Sequence, residues 1–252
     1  MQRFEPPYCG VDQAVSRLRE DGFALLHAND LAAWCQVASS EWQALGQAWQ
    51  GLPPDEYLKD GGRYRRRRHS CYVVTHDQVQ AVPHRAHWQP VAYNALHGGM
   101  QRWFEPVLPQ TAALPAWQGL LRGIARAADA LRGPQPWYVE AHQFRIDTTD
   151  GIGRPTPEGA HRDGVDLVWV MLVQRHGIRG AESRVFQADG PAGQRFTLDE
   201  PMSVLWLDDA RVVHETTPIM PEDDFGWRDT LVLTCRAGGF QVAGTDPQAT
   251  SD

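Results

Sequence analysis

His161 and Asp163 stand two residues apart in Glu158-Gly-Ala-His-Arg-Asp-Gly-Val-Asp166. On an extended chain that spacing sends both side chains to the same side. A second imidazole, His214, lies in Arg211-Val-Val-His-Glu-Thr-Thr217, another stretch that reads as extended. Two imidazoles and one carboxylate make the facial triad that holds non-haem Fe(II) and leaves positions open for other ligands. His-x-Asp alone is also common in surface turns. Downstream stands Arg228-Asp-Thr230. Arg228 and Thr230 share a strand face, and an arginine with a hydroxyl two residues on can clamp a carboxylate through a planar fork plus one more hydrogen bond. The order His-x-Asp, His, Arg-x-Thr is more specific than any of its parts.

These residues need extended segments to carry them. After Pro136 short β-rich runs follow one another, broken by Gly, Pro and Asp, at 137–146, 166–174, 183–188, 194–198, 202–207, 211–217 and 228–236. Such spacing predicts a sandwich, barrel or jelly roll. Leu167 to Val173 is apolar without alternation, as in a strand buried on both faces. Upstream, Val11, Val15 and Leu18 give one helical face, and 23–27 reads as a short strand. Asn29 and Asp30 are N-cap types ahead of a helix in which Leu31, Trp34, Ala38, Trp42, Leu45 and Trp49 keep a period near 3.6. Residues 64–75 read as a strand and 115–131 as a helix stopped by Gly133-Pro134. The expectation is one domain over 1–252: a helical layer at 1–60, a β core at about 64–240, and a frayed tail at 241–252.

Four segments together resemble the 2-oxoglutarate/Fe(II) dioxygenases, and among them the L-isoleucine dioxygenase group of free-amino-acid hydroxylases. They are Glu158-Gly-Ala-His-Arg-Asp-Gly-Val-Asp166, Gly180-Ala-Glu-Ser183, Val213-His-Glu-Thr-Thr-Pro218 and Arg228-Asp-Thr-Leu-Val-Leu-Thr234. Tyr93-Asn94 and Gly98-Gly99 are similar as well, less specifically. The group often has Gly-Gly-Glu-Ser where this chain has Gly180-Ala181-Glu-Ser. The resemblance implies a double-stranded β-helix, or jelly roll, with helices packed on one sheet. It implies Fe(II) on His161, Asp163 and His214, and Arg228 with Thr230 on the distal carboxylate of 2-oxoglutarate. It implies O₂ as oxidant, ascorbate as activator, and hydroxylation or sulfoxidation of a free aliphatic L-amino acid. Such a zwitterion needs a cation and an anion. Near the motif, Arg145, Arg154 and Arg162 are the candidate cations and Glu140 and Asp166 the candidate anions. Each has a plainer reading as a structural or surface charge. Trp137, Tyr138, Trp169 and Trp206 are candidate apolar walls, or simply core.

Composition narrows the alternatives. The 252 residues carry a net charge of −7, which speaks against bulk nucleic-acid binding. The run Arg65-Arg-Arg-Arg68 is the local exception and reads as a solvated face or an oligomer contact. No apolar run approaches the ~20 residues that span a bilayer, and the first residues show no signal-peptide pattern. Cys9, Cys35, Cys71 and Cys235 are widely spaced, which suits a reducing cytoplasm. His161-Arg-Asp163 and Asp224-Phe-Gly226 mimic kinase triplets, but Val168 stands where a kinase needs asparagine. A cupin-like binder without catalysis and a dioxygenase for another small molecule remain as alternatives.

Overall fold

Alternation along a strand gives a sheet two unlike faces, and the computed structural model, which describes residues 5–76 and 78–243, is built on that contrast. In chain order the elements are α1 (Ala14–Asp21), β1 (Phe23–Leu26), α2 (Ala28–Cys35), α3 (Glu41–Gln47), β2 (Arg65–Val74), β3 (Val79–Ala81), α4 (Pro109–Ala112) and α5 (Pro115–Arg132). Then follow β4 (Trp137–Asp147), β5 (Leu167–His176), β6 (Ile178–Gly180), β7 (Glu182–Gln187), β8 (Gly193–Thr197), β9 (Val204–Asp208), β10 (Val212–Thr216), β11 (Ile219–Pro221) and β12 (Trp227–Arg236). The large sheet runs β1-β9-β5-β12-β4-β2-β3, with antiparallel neighbours. Strands β10, β7 and β8 form a smaller sheet, and β11 pairs with β6. The result is the expected jelly roll with helices against one face.

Residue parity decides what each face meets. Trp137, Val139 and Ala141 of β4, Trp169 and Met171 of β5, and Leu231 and Leu233 of β12 pack on Trp117, Leu120, Leu121 and Ile124 of α5. On the other face of β5, Val168 and Leu172 meet Val185 and Phe196 from the smaller sheet. The even positions of β4 and β12 therefore look into the space between the sheets. Helix α5 comes close to α2 because Gly119 and Gly123 present no side chain there. A Cβ at Gly119 would lie 2.9 Å from the Cys35 carbonyl oxygen, and one at Gly123 2.8 Å from Cys35 Sγ. Trp137, Trp169 and Trp206 all belong to this helix-side core, and none of them lines the cavity between the sheets.

Three local expectations change. The helix expected from Asn29 to Trp49 is two helices. Gln36 is left-handed at φ 56, and its N–H caps the carbonyls of Ala32 and Ala33. The apolar period survives the break because Trp42, Leu45 and Trp49 still reach the same core. Asp30 caps nothing; its carboxylate accepts the Val11 N–H at 3.1 Å. The expected tail begins inside the packed structure: Gln241 is buried and donates Nε2–H to the carbonyls of Asp163 and Gly164. Residues 244–252 of that expectation lie outside the described residues. Among the described residues no helix is long and apolar enough to cross a membrane, and the four cysteines are free.

Candidate active site

His161 and His214 face each other where β10 meets the loop after Pro157. Each backbone N–H donates to the other's carbonyl at 3.0 Å. The His161 segment is thus a single bridge on β10 rather than the strand its spacing suggested. The Gly159 carbonyl can only accept, so His161 Nδ1, 3.0 Å away, carries the proton and Nε2 is left with its lone pair. His161 Nε2 lies 3.9 Å from Asp163 Oδ1, and His214 Nε2 lies 3.8 Å from Asp163 Oδ2. Among the described residues no arginine or lysine lies within 4.0 Å of the Asp163 carboxylate. Burial alone would lower the His161 pKa, but Asp163 and Glu158 outweigh it and raise it. Burial and His161 hold His214 well below the usual imidazole range. A carboxylate facing two imidazole nitrogens, with no fixed cation to neutralise it, is a donor set that fits a divalent metal.

Asp209 shapes the loop that presents Asp163. Its buried carboxylate accepts the N–H groups of Asp163, Gly164 and Val165 at 2.9, 2.7 and 3.1 Å. Gly164 makes the turn at φ 75, where a Cβ would strike the Tyr93 ring at 2.4 Å. Burial and Asp163 push the Asp209 carboxyl up to about 6. Gln89 Nε2–H then donates to Asp163 Oδ1 at 3.1 Å. Asp209→Ala leaves three buried donors without an acceptor, and an expected loss of about 1–3 kcal/mol would show in urea unfolding. Fe(II) affinity should fall by roughly 10–100-fold, as for other partners of metal ligands.

Arg228 and Thr230 enter the same cavity from β12. Arg228 is 2% exposed, and its Nε and Nη2 have no hydrogen-bond partner. Burial and Arg175 bring its pKa down to about 9, the mark of a guanidinium short of a counter-charge. The pairing of β12 with β5 shifts register between Asp229 and Thr230. Such an irregularity re-aims side chains beside a site. Trp49 Nε1–H spans the Phe144 and Thr230 carbonyls at 3.0 and 3.3 Å and pins β4 to β12 there.

Of the five residues expected around the substrate, only Glu140 lines the cavity. Its Oε2 accepts from His69 Nε2 at 2.7 Å and His87 Nδ1 at 2.8 Å. Burial would raise the Glu140 carboxyl, but His87 and His69 hold it well below the carboxylate range. The other four are corrected. Arg145, at an odd position of β4, turns away from the cavity and forks onto Asp229 at 2.7 and 2.6 Å. Arg154 is exposed and pairs with Asp60 at 3.7 Å. Arg162 Nε–H donates to the Asp209 carbonyl at 2.5 Å. Asp166 accepts the Ala237 N–H at 2.8 Å and neighbours Arg132. The arginine run is corrected too: Arg65 and Arg67 are 5% and 3% exposed and line the cavity, while Arg66 and Arg68 point out to Asp147 and Glu105. Unforeseen as well were His87, Gln89, Arg102 and His142, while Asn94 and Glu158, which stand in the motif segments without an assigned role, also line the cavity.

A family model described as 2OG-Fe dioxygenase matches residues 46–234. The chain is similar to the crystal structure of a bsmA homologue from Methylobium petroleophilum PM1, at 50% identity and TM-score 0.89 over 96% of this chain and 99% of that one. It shares its fold with IDO from Bacillus thuringiensis (17% identity, TM-score 0.74, 94% and 100% covered). The same holds for TqaL, an Fe(II)/α-ketoglutarate-dependent dioxygenase (18% identity, TM-score 0.67, 90% and 86% covered). No curated protein matches the chain.

Proposed function

The chain belongs to the 2OG-Fe dioxygenase family, and from that premise we propose that it oxidises a free aliphatic L-amino acid, with iron on His161, Asp163 and His214 and 2-oxoglutarate anchored by Arg228 and Thr230. It is a 2-oxoglutarate-dependent non-haem iron dioxygenase, using Fe(II), 2-oxoglutarate and O₂. The observation that carries the site assignment is the convergence, in one cavity of about 120 Å³, of a cation-free imidazole–carboxylate triad and an unpaired buried guanidinium. Iron with 2-oxoglutarate supplies oxidative decarboxylation to succinate and CO₂, and one oxygen atom for the substrate.

The protein's own residues bind, orient and exclude water. The Gly159 carbonyl fixes the His161 tautomer, and Gln89 and the Asp209-bound loop hold the Asp163 carboxylate in place. Arg228 offers two unpartnered nitrogens, Nε and Nη2, to an incoming carboxylate. Val165, Val170 and Val232 give the cavity apolar walls beside these polar groups, which strengthens every charge interaction inside it. The amino acid reading draws on the motif resemblance and on Glu140, an ionised carboxylate facing the cavity that suits an ammonium group.

A screen of free L-amino acids for succinate formation, with Fe(II), 2-oxoglutarate and ascorbate, tests this reading. One or more aliphatic amino acids should raise succinate formation at least tenfold over the substrate-free rate. Glu140→Gln should raise the KM for that amino acid by about 10–100-fold, the loss of one charged hydrogen bond. If no amino acid stimulates turnover while substrate-free decarboxylation persists, the substrate class is wrong and the iron site stands.

A further inference from the structure

Three guanidiniums gather in the same cavity, on the far side of β4 from Arg228: Arg65 stands in its cross-strand row, with Ile146 between them. Strand β2 alternates, so Arg65 and Arg67 point inward together. Arg102 joins them from the irregular segment 82–108, held by the paired backbones of His87 and Arg102. All three are at most 5% exposed. Their anionic partners are few. Asp55 lies 2.7 Å from Arg65 Nε and 3.8 Å from Arg67 Nη1. Among the described residues Arg102 has no carboxylate within 4.0 Å, and its Nη2–H donates to Gln89 Oε1 at 2.9 Å. Arg65 Nη2, Arg67 Nε and Arg102 Nε have no hydrogen-bond partner at all.

A buried guanidinium without a close counter-charge costs several kcal/mol. Here, among the described residues, Asp55 alone stands within 4.0 Å, serving Arg65 and Arg67, while Glu140 and Glu158 act on Arg102 only from farther off. Burial lowers the Arg102 pKa to about 10, with Arg65 adding to the effect. The cluster is also rigid. The Arg67 guanidinium lies between the rings of Phe104 and Phe144, 3.7 and 4.4 Å from their centroids, and its Nη2–H donates to His142 Nδ1 at 2.7 Å. Such a fork, fixed before the ligand arrives, matches a planar carboxylate.

The neighbouring His69, His87, Glu140 and His142 could gather around a cation. Glu140 Oε2 already takes two imidazole protons, however, and Arg67 donates to His142. A second metal would have to break these bonds beside three positive charges. No metal is due there, and the unpartnered guanidinium nitrogens are left to meet an anion.

We propose that Arg65, Arg67 and Arg102 form the subsite for the substrate's own carboxylate, separate from the 2-oxoglutarate anchor at Arg228. This rests on the assignment of iron and 2-oxoglutarate made above. Gln89 sets its consequence: one end of the Gln89 amide accepts from Arg102, and the other donates to Asp163 Oδ1. A single side chain separates the carboxylate subsite from an iron ligand, so the oxidised carbon lies only a few bonds from a free carboxylate. The substrate is a short, free acid, and blocking its carboxyl group destroys recognition.

L-Leucine, L-isoleucine and L-methionine, each paired with its carboxamide, test the subsite in two ways: kcat/KM for succinate formation by the Fe(II)-loaded enzyme, and calorimetric binding without turnover. At least one acid should be preferred over its amide by about 30-fold or more. In Arg102→Gln that ratio should fall at least tenfold. Because acid and amide are compared on the same variant, a partial loss of iron or of folded protein cancels. Amides that bind as well as acids, a ratio that Arg102→Gln leaves unmoved, or acids that neither bind nor stimulate each overturn the proposal. Acid binding that depends on Arg102 in an enzyme that never forms succinate would uphold the subsite and overturn the iron and 2-oxoglutarate assignment instead.

Discussion

His214→Ala should abolish substrate-stimulated succinate formation while the protein stays folded. His214 is 8% exposed, yet its Nδ1 has no hydrogen-bond partner, and the ring lies beside the His161 ring and the Asp163 carboxylate. Truncation therefore removes packing but no hydrogen bond, and the backbone bridge to His161 remains. A structural histidine of this kind would cost about 1–2 kcal/mol and nothing else. A metal ligand behaves differently. Partners of ligands already cost 10–100-fold, so loss of one of three ligands should reduce turnover at least a hundredfold. His161→Ala and Asp163→Ala should match it. Ferrous-ion titration of the variants, with circular dichroism as the folding control, separates the two cases. Full turnover in His214→Ala, or iron bound as tightly as in the parent protein, would sink the assignment.

Parity explains most of what the sequence made legible and much of what was misread. Arg228 and Thr230 differ by two on a strand, and the structure does put both into one cavity. Glu140 and Arg145 differ by five, an odd number, so on one strand they cannot share a face. That arithmetic alone separates Arg145 from Glu140 as a candidate for the same cavity. The arginine run has the same lesson: once 64–75 is a strand, two of its four arginines must face inward. Charge type pointed to solvent, and alternation overruled it, because an interior cavity can hold arginine where an anion is due.

Other features carried no local signal. His87, Gln89 and Arg102 sit in a stretch with neither a two- nor a 3.6-residue period, and only the tertiary fold brings them to Glu140 and Asp163. Asp209 follows the last residue of β9 and reads as an ordinary turn residue, yet three N–H groups of the Asp163 loop converge on it. The small, polar composition after Phe240 suggested fraying, but Gln241 ties its own segment to Asp163 and Gly164. In each case one long-range hydrogen-bonding group decides the placement, and composition cannot register it.

Arg228 gives opposite expectations for the empty and the loaded protein. Without 2-oxoglutarate its guanidinium is a buried charge whose Nε and Nη2 go unmatched. Arg228→Met fills a similar volume without the charge, and such replacements are neutral or stabilising by about 1–4 kcal/mol. The ligand-free variant should therefore melt at the same temperature as the parent or above it. With 2-oxoglutarate present the order reverses. The parent protein gains RT ln(1 + [L]/Kd), about 2.7 kcal/mol at a hundredfold excess over Kd, and Arg228→Met gains little. Deleting the charged hydrogen bonds costs about 1.5–3 kcal/mol, which is roughly 10–150-fold in the affinity for 2-oxoglutarate. Arg228→Lys keeps the charge but loses the planar fork, and should lie between the two, with the KM for 2-oxoglutarate raised more than kcat is lowered. Melting curves of the three proteins with and without 2-oxoglutarate give the answer. If Arg228→Met retained the full 2-oxoglutarate-induced shift, the 5-carboxylate would have to bind elsewhere, and the clamp formed with Thr230 would be an internal feature of β12 alone.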